Sequence, residues 1–333
     1  MNEKILRMKE LIKVLSQAGR AYYQEDREIM SNFEYDRLYD ELTALEKETG
    51  VILSASPTQK VGHQVLSELP KEAHESPMLS LDKTKSADDL AAWLGDQEGL
   101  LSWKMDGLTI VVTYEGGQLV KAVTRGNGEI GEVITSNART FVNLPLTIGF
   151  KGQLVLRGEA VISYSDFERI NEEIEDVDAR YKNPRNLCSG SVRQLNSQIT
   201  AQRNVRFLAF MLVRAEGEDF DNSREKQFIW LKNQGFDVVE YVRVNRDTVK
   251  SAVEDFAEKI GGSDIPSDGL VLLLDDIAYG ESLGRTAKFP RNSIAFKWAD
   301  EVRETRLRYI EWSPFRTGLI NPVAEFEPVE LEG

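Results

Sequence analysis

Six short apolar runs rich in branched and aromatic residues follow Pro77, and they constrain the fold more than any other feature of the sequence. They are Leu108–Tyr114, Leu119–Thr124, Leu154–Leu156, Phe207–Val213, Gly269–Leu274 and Ile294–Trp298. Residues 115–118, which include Gly116 and Gly117, separate the first two runs and predict a β-hairpin. Helical segments lie between the runs without a strict strand–helix–strand alternation. This pattern predicts an α+β fold with a largely antiparallel sheet.

The helices between these runs are predicted from their capping residues. A serine followed three residues later by an acid marks helix starts at Ser86 and Ser165, the latter running to about Glu175. Two more helices are expected, from Ser223 to Gln234 and from Asp247 to Ile260, each ending at glycine.

The N-terminal part is predicted to be two helices joined by a short loop. Apolar residues recur at helical spacing from Ile5 to Leu15, and a second helix begins at Ser31 or Asn32 and ends at Gly50. Aromatic and polar residues would face the loop of this hairpin: Tyr22, Tyr23, Asn32, Tyr35 and Asp36. Either they form a packed surface whose tyrosine hydroxyls reach water, or they form a stacking platform for a planar ligand.

Composition limits the partners and the compartment. The net charge of −14 gives no bulk electrostatic attraction for a nucleic acid, so any such contact needs a local basic patch. A single cysteine, Cys188, excludes an intrachain disulfide and a multi-cysteine zinc site, and it suits a cytoplasmic protein. No run approaches the length of a membrane span, and no signal-peptide core is present at the N-terminus.

Lys104 is the first candidate for covalent chemistry. It lies in Ser102–Gly107, directly before an apolar run, with Asp106 two residues on and Gly107 to turn the backbone. A lysine so placed is a plausible nucleophile. The pattern alone is weak evidence, because it should occur by accident in roughly one chain of this length in ten.

Five further polar clusters interrupt the apolar runs. They are Thr124–Gly128, Arg157–Glu159, Asn183–Asn186 with Gly190–Arg193, Ser267–Gly269 and Ala295–Trp298. Each alone has a structural explanation as a turn, a loop or a solvated edge charge. Together they supply cations for phosphates, carboxylates for a metal or for ribose hydroxyls, and a lysine nucleophile. Nucleotidyl transfer requires this set of groups, because the enzyme chiefly positions the phosphoryl centre and neutralises its charge.

The order of these clusters resembles the N-terminal part of bacterial NAD-dependent DNA ligases over essentially the whole chain. Matching stretches include Glu34–Leu38, Ser56–Gly62, Pro77–Asp82, Lys104–Gly107, Thr124–Gly126, Arg157–Glu159, Asn183–Asn186, Ser267–Gly269, Ala295–Lys297 and Arg316–Gly318. The resemblance implies three parts. Residues 1–68 would be a helical domain and linker recognising nicotinamide mononucleotide (NMN), 69–303 an ATP-grasp-like nucleotidyltransferase domain, and 304–333 the start of an incomplete OB-fold.

By this resemblance Lys104 attacks the α-phosphate of NAD, forms lysyl-AMP and releases NMN, the first step of nick sealing. The amine must be neutral, and Lys297, Mg²⁺ and the arginines are the cations that would favour this form. The family would place Asp106 and Asp268 on the nucleophile and metal, Lys297 on the α-phosphate, and Glu159 on the ribose or metal. It would place Arg125, Arg185 and Arg193 on phosphates, and Ser80, Leu81 and Phe210 beside the adenosine.

The departures from the family pattern concentrate in two places. Ser102 replaces a glutamate that would accept from the adenine amino group, and Leu273 replaces a lysine that would contact the base. In the NMN-binding helices, Tyr23 replaces a histidine and Asn32 an aspartate. Adenine could still bind by stacking and backbone hydrogen bonds, or the base pocket has lost specificity.

Two alternatives to the adenylation fragment therefore stay open. One is an accessory paralogue that binds a nucleotide without efficient adenylation, and the other is an ATP-dependent nucleotidyltransferase. For the favoured function we expect NAD and Mg²⁺ as cofactors, no zinc, no membrane contact and a monomer. Nicked DNA would be the partner of the full-length protein, bound poorly by this chain alone.

Overall fold

A computed structural model describes residues 2–25, 30, 32–53, 56–58, 69–174, 180–298, 303–314 and 320–329. The chain divides into two compact units, Met1–Lys297 and Trp298–Gly333. Within the described residues, no helix is both long and apolar enough to cross a membrane.

The predicted N-terminal hairpin is present as helices α1 (Asn2–Glu25) and α2 (Asn32–Thr49). Apolar side chains at helical spacing on α1 pack against α2, and Met8, Leu15 and Leu42 are completely buried between them. The apolar face predicted from the sequence is therefore the contact between the two helices.

Nine strands build two sheets that together hold the candidate site. The strands are β1 (Lys71–Ala73), β2 (Asp82–Thr84), β3 (Gly99–Met105), β4 (Leu108–Glu115), β5 (Gln118–Thr124), β6 (Ile130–Glu132), β7 (Leu154–Val161), β8 (Arg206–Ala215), β9 (Tyr241–Val244), β10 (Ser267–Leu274) and β11 (Ser293–Lys297), of which β1 and β6 form a separate small pair. One sheet has the order β2-β11-β10-β3-β9 and the other β5-β4-β7-β8. All pairs in the two sheets are antiparallel except β2 with β11. The α+β, largely antiparallel prediction is confirmed.

The described helices that follow α2 are α3 (Ala87–Leu94), α4 (Thr135–Ala138), α5 (Tyr164–Glu172), α6 (Pro184–Val192), α7 (Ser197–Ala201), α8 (Arg224–Asn233), α9 (Val249–Ile260) and α10 (Ile277–Ser282). Ser86 caps α3 and Ser223 caps α8, as the sequence predicts. The predicted start of α5 is wrong, because Ser163 is its cap and accepts from the Asp166 amide at 3.2 Å. Ser165 instead donates to Asp264.

The β4–β5 hairpin has the predicted two-glycine turn. Gly116 and Gly117 have φ of 57° and 79°, values that glycine adopts without strain. Inward-facing residues of β4, β5, β7 and β8 form the main core, in which Ile110, Tyr114 and Phe207 are at most 1% exposed. This core fixes the strand ends that carry the polar clusters.

The two sheets are joined at Asp106–Gly107, between β3 and β4. A Cβ atom at Gly107 would lie 2.0 Å from the Ala160 carbonyl oxygen, so only glycine allows this close approach. The Asp106 amide donates to the Pro266 carbonyl at 2.9 Å. The Lys-x-Asp-Gly glycine is thus needed where the chain passes from one sheet to the other.

Residues 71–80 run across the outer face of the β5-β4-β7-β8 sheet and are fastened to it by four basic side chains. Lys121 pairs with Glu72, Arg214 with Glu75, Arg157 with Ser76, and Arg125 with Ser80. These contacts hold the segment that connects the helical hairpin to the two sheets.

The second unit is described by an antiparallel pair, β12 (Leu307–Pro314) and β13 (Ile320–Phe326). Arg316, Thr317 and Gly318, which match the family, lie outside the described residues. The OB-fold start and the boundaries at 68 and 303 stay predictions.

Candidate active site

Lys104, Gly269 and Lys297 lie side by side on three neighbouring strands. Gly269 of β10 pairs with Lys104 of β3 on one side and with Lys297 of β11 on the other. Equivalent positions on neighbouring strands point to the same face, so both lysine side chains leave the sheet together. Strand register therefore brings together two lysines that are far apart in the sequence.

Asp268 lies between the two lysines and binds both. Lys104 Nζ donates to its carboxylate oxygens at 2.8 and 3.0 Å, and Lys297 Nζ donates to Oδ2. A register shift between Ser267 and Gly269 positions the carboxylate here. Burial alone would raise the pKa of Asp268, but hydrogen bonds from the two ammonium groups outweigh burial and lower it. Asp268 is therefore an ionised carboxylate at neutral pH.

Glu159 lies in a different environment at the end of β7. It is 9% exposed, and it accepts from Thr109 Oγ1 at 2.8 Å and from the Gly107 amide. Burial raises the pKa of its carboxyl to about 7, against the opposing effects of Thr109, Lys104 and Arg185. The charge on Glu159 is thus incompletely compensated, and a cation or a hydroxyl donor would stabilise it.

Arg185 is placed by the start of α6. Asn183 caps this helix by accepting from the Asn186 amide at 2.8 Å, and Pro184 occupies the first turn. Arg185 Nη1 donates to Asp106 Oδ1 at 2.5 Å. The Asn-Pro-Arg-Asn motif is therefore a capped helix start that delivers an arginine to the Lys104–Gly107 loop.

Arg193 and Arg125 are both engaged by neighbours of this chain. Arg193 donates from Nε and Nη2 to the two carboxylate oxygens of Glu132 at 2.5 and 2.8 Å. Arg125 donates to the Met78 carbonyl at 3.3 Å and to Ser80 Oγ at 3.2 Å. The structure thus brings Arg125 and Ser80 together, and phosphate contacts by either arginine stay predictions.

The residues predicted to surround the base occupy both sheets. Ser102 is 8% exposed and donates to the Val271 carbonyl at 3.4 Å. Leu273 is 7% exposed and packs in an apolar cluster with Leu100 and Phe228. Phe210 is half-buried at a bulge of β8, and Leu81 is half-buried before β2. Their contacts with a base stay predictions.

Two residues near the site were missed by the sequence analysis. Thr109 binds Glu159, and Arg157 lies on the same face of β7 as Glu159 because side chains alternate along a strand. Burial lowers the pKa of Arg157, as does the nearby charge of Arg125. Its Nε is buried and has no hydrogen-bond partner among the described residues. Alternation from Glu159 was the signal that could have identified Arg157.

The site's lysine and carboxylate arrangement now has a family context. Residues 66–301 match the family model of the NAD-dependent DNA ligase adenylation domain, and residues 1–62 match that of the DNA ligase-like N-terminal NAD⁺-binding domain. The chain belongs to the NAD-dependent DNA ligase family. This membership confirms the resemblance inferred from the ordered motifs.

Curated relatives in this ligase family match the chain over its whole length. Proteins named DNA ligase from Ruminiclostridium cellulolyticum and Lachnoclostridium phytofermentans are each 65% identical over 333 residues, which is 100% of this chain and 51% of theirs. The chain spans about half the length of these relatives. Among solved structures, a Lig E DNA ligase covers 74% of this chain and 83% of its own, with 19% identity and a TM-score of 0.40.

The residues expected to recognise NMN in the ligase family fall on α1 and α2. They are Tyr22, Tyr23, Asn32, Tyr35 and Asp36, and their side chains lie outside the described residues. Their helices have the predicted bounds to within a few residues. The NMN-binding role stays a prediction.

Proposed function

We propose that this chain carries out the adenylation step of a NAD-dependent DNA ligase. Lys104 Nζ forms a bond to the α-phosphorus of NAD while the bond from that phosphorus to the NMN oxygen breaks. The amine loses one proton to water, and the products are lysyl-AMP and NMN. Family membership and the lysine at the junction of the two sheets support this proposal.

The observation that carries the proposal is the Lys104–Asp268–Lys297 arrangement on three adjacent strands. Asp268 fixes the direction of the Lys104 amine, and Lys297 supplies a second positive charge within reach of the same carboxylate. A phosphate entering this face would meet both ammonium groups. Such placed charges stabilise the charge that develops during phosphoryl transfer.

The remaining predicted residues take roles around this centre. We infer that Arg185, held beside Asp106, binds phosphate, and that Arg125 and Arg193 do so when NAD displaces their present partners. Glu159 would accept from a ribose hydroxyl. Ser80, Leu81, Ser102, Phe210 and Leu273 would surround the adenosine, and Tyr22, Tyr23, Asn32, Tyr35 and Asp36 would hold NMN.

Glu159 and Asp268 fit a magnesium ion held together with the substrate phosphates. Mg²⁺ is commonly bound by one or two carboxylates plus phosphate oxygens rather than by a complete protein cage. No group of three or more potential ligands forms a cage among the described residues, in agreement with that mode. When bound, the ion would neutralise phosphate charge, and it would relieve the incompletely compensated charge on Glu159.

The test is to incubate the chain with NAD and Mg²⁺ and to measure its intact mass. We expect an AMP adduct in the natural chain and none in Lys104→Ala. Lys121→Ala is the matched control, because Lys121 lies on β5 and pairs with Glu72. No adduct in the natural chain, or an adduct that persists in Lys104→Ala, would refute the proposal. An adduct formed from ATP and not from NAD would favour an ATP-dependent enzyme.

The partners of the whole protein follow from the same proposal. We infer that the full-length protein seals nicked DNA in the cytoplasm, and that this chain alone is a monomer that binds DNA poorly. The names of the relatives and the net charge of −14 support these inferences.

A further inference from the structure

The face of β3 that carries Lys104 becomes apolar behind the nucleophile. Leu100, Ser102 and Lys104 share this face because side chains alternate along the strand. Val271 and Leu273 of β10 lie opposite Ser102 and Leu100. Leu100 and Leu273 are buried against Phe228 of α8, which closes the far end of the face.

The polar groups on this part of the face are hydroxyls. Register places Tyr241 of β9 opposite Ser102, and Ser293 of β11 opposite Leu273. Burial and the nearby carboxylates Glu225 and Asp275 raise the pKa of Tyr241, so its hydroxyl keeps its proton. A hydroxyl both donates and accepts hydrogen bonds, whereas a carboxylate only accepts and an ammonium only donates.

A charged group also lies on this face, at Arg243 of β9, but it is already occupied. Arg243 pairs with Leu100 in the β3–β9 register and its guanidinium binds Glu98 and Glu225. It also lies 3.5 Å from Asp275. Among the described strands of this sheet, the part of the face between the two lysines and the Leu100–Leu273 pair therefore presents neutral hydrogen-bonding groups.

Ser102 lies where the base of the substrate would reach. This step rests on the proposed function, which puts the α-phosphate at Lys104 Nζ. Ser102 is one residue pair back along β3, about 7 Å away and comparable with the length of a ribose. The base would therefore meet Ser102 between the phosphate end and the apolar end of the face.

We propose that Ser102 reads the purine edge and that the site accepts a 6-oxopurine dinucleotide as well as NAD. Facing a 6-amino group, the Ser102 hydroxyl accepts and keeps its hydrogen bond to the Val271 carbonyl. Facing a 6-oxo group, it turns and donates. The change gives up a hydrogen bond of 3.4 Å, which is longer than the usual 2.7–2.8 Å for a hydroxyl donor and therefore weak. Ser102 is thus a specificity residue that tolerates both purine classes.

The experiment compares NAD with nicotinamide hypoxanthine dinucleotide, in which hypoxanthine replaces adenine. Each is incubated separately with the chain and Mg²⁺, and the rate of adduct formation is followed by intact mass. We expect the two rates to agree within about 10-fold. Ser102→Glu replaces the hydroxyl by an acceptor that repels a 6-oxo group, and it should widen the ratio beyond about 100-fold in favour of NAD.

Ser251→Glu is the matched control, since Ser251 lies on the exposed surface of α9 and should leave the ratio unchanged. A natural chain that forms the NAD adduct but reacts more than about 100-fold more slowly with the hypoxanthine dinucleotide would overturn the inference. That ratio decides the matter even if Ser102→Glu does not fold. Failure to form an adduct from either dinucleotide would instead refute the proposed function, and this inference with it.

Discussion

Two carboxylates of the site differ in charge state because their surroundings differ. Asp268 receives hydrogen bonds from two ammonium groups, which lower its pKa in spite of burial. Glu159 receives hydrogen bonds from Thr109 and a backbone amide, and burial raises its pKa to about 7. At neutral pH, Asp268 is ionised and Glu159 is close to half protonated. Glu159 therefore acquires its full charge only above neutral pH or when a cation binds.

Glu159→Gln tests this difference through folding stability. A carboxyl whose pKa is raised in the folded state stabilises the protein at low pH, and this contribution is lost as the pH rises through about 7. The variant lacks that loss, so its stability relative to the natural chain should increase between pH 5 and pH 8. The expected gain is about 3 kcal/mol at most. Chemical unfolding at several pH values measures it.

Glu168→Gln is the control for this experiment, since Glu168 is exposed on α5. Its stability difference from the natural chain should stay constant over the same pH range. A constant difference for Glu159→Gln as well would show that the Glu159 carboxyl is not perturbed.

The site depends on strand ends more than on any one helix. The shift between Ser267 and Gly269 turns Asp268 toward the two lysines, and Gly269 makes this shift possible. Gly269 has φ of 154°, and a Cβ atom there would lie 2.0 Å from the Phe296 carbonyl oxygen. The glycine after Asp268 is therefore required by the backbone of β11 as well as by its own conformation.

Gly269→Ala should both destabilise the chain and abolish adenylation. The clash is with backbone, so β10 and β11 must separate, and we expect a loss of at least about 3 kcal/mol. Chemical unfolding and NAD adduct formation measure the two effects. Gly261→Ala is the control, because nothing lies within 4 Å of a Cβ atom there and its φ of −65° suits alanine. Equal stability of the two variants would contradict this account of β10.

The sequence predicted the elements of the site better than their contacts. Apolar runs and the two-glycine turn gave β4 and β5, and Asn183 with Pro184 marked the start of α6, because these signals are local. Arg185 and Asp106 are 79 positions apart, and Arg157 and Ser76 are 81 apart, so no local pattern reports either pair. Family resemblance supplied Lys297 and Asp268, and strand register then explained their meeting.

At the scale of the whole molecule, the chain has the parts for forming an adenylate and a charge that opposes DNA. It matches two family domains and spans about half the length of its listed relatives. Its 55 acidic residues outnumber 41 basic ones, so most of its surface repels a polyanion. Adenylation and nick sealing should therefore separate in this chain.

This separation is tested with an end-labelled nicked duplex. We expect lysyl-AMP to form from NAD, while sealing of the nick is slower than adduct formation by on the order of 100-fold, since electrostatic attraction to DNA is absent. Gel analysis of the labelled strand measures sealing under the conditions of the mass measurement. Sealing as fast as adduct formation would show that the chain binds nicked DNA unaided.

The most direct test of the account is to locate the AMP group on the chain and to reverse its transfer. The adduct formed from NAD is purified, digested and sequenced by mass spectrometry, and a second portion is incubated with NMN and Mg²⁺. The account predicts that AMP is attached to Lys104 and that NMN removes it and regenerates NAD. AMP attached to another residue, or an adduct on Lys104 that NMN leaves intact, would contradict it.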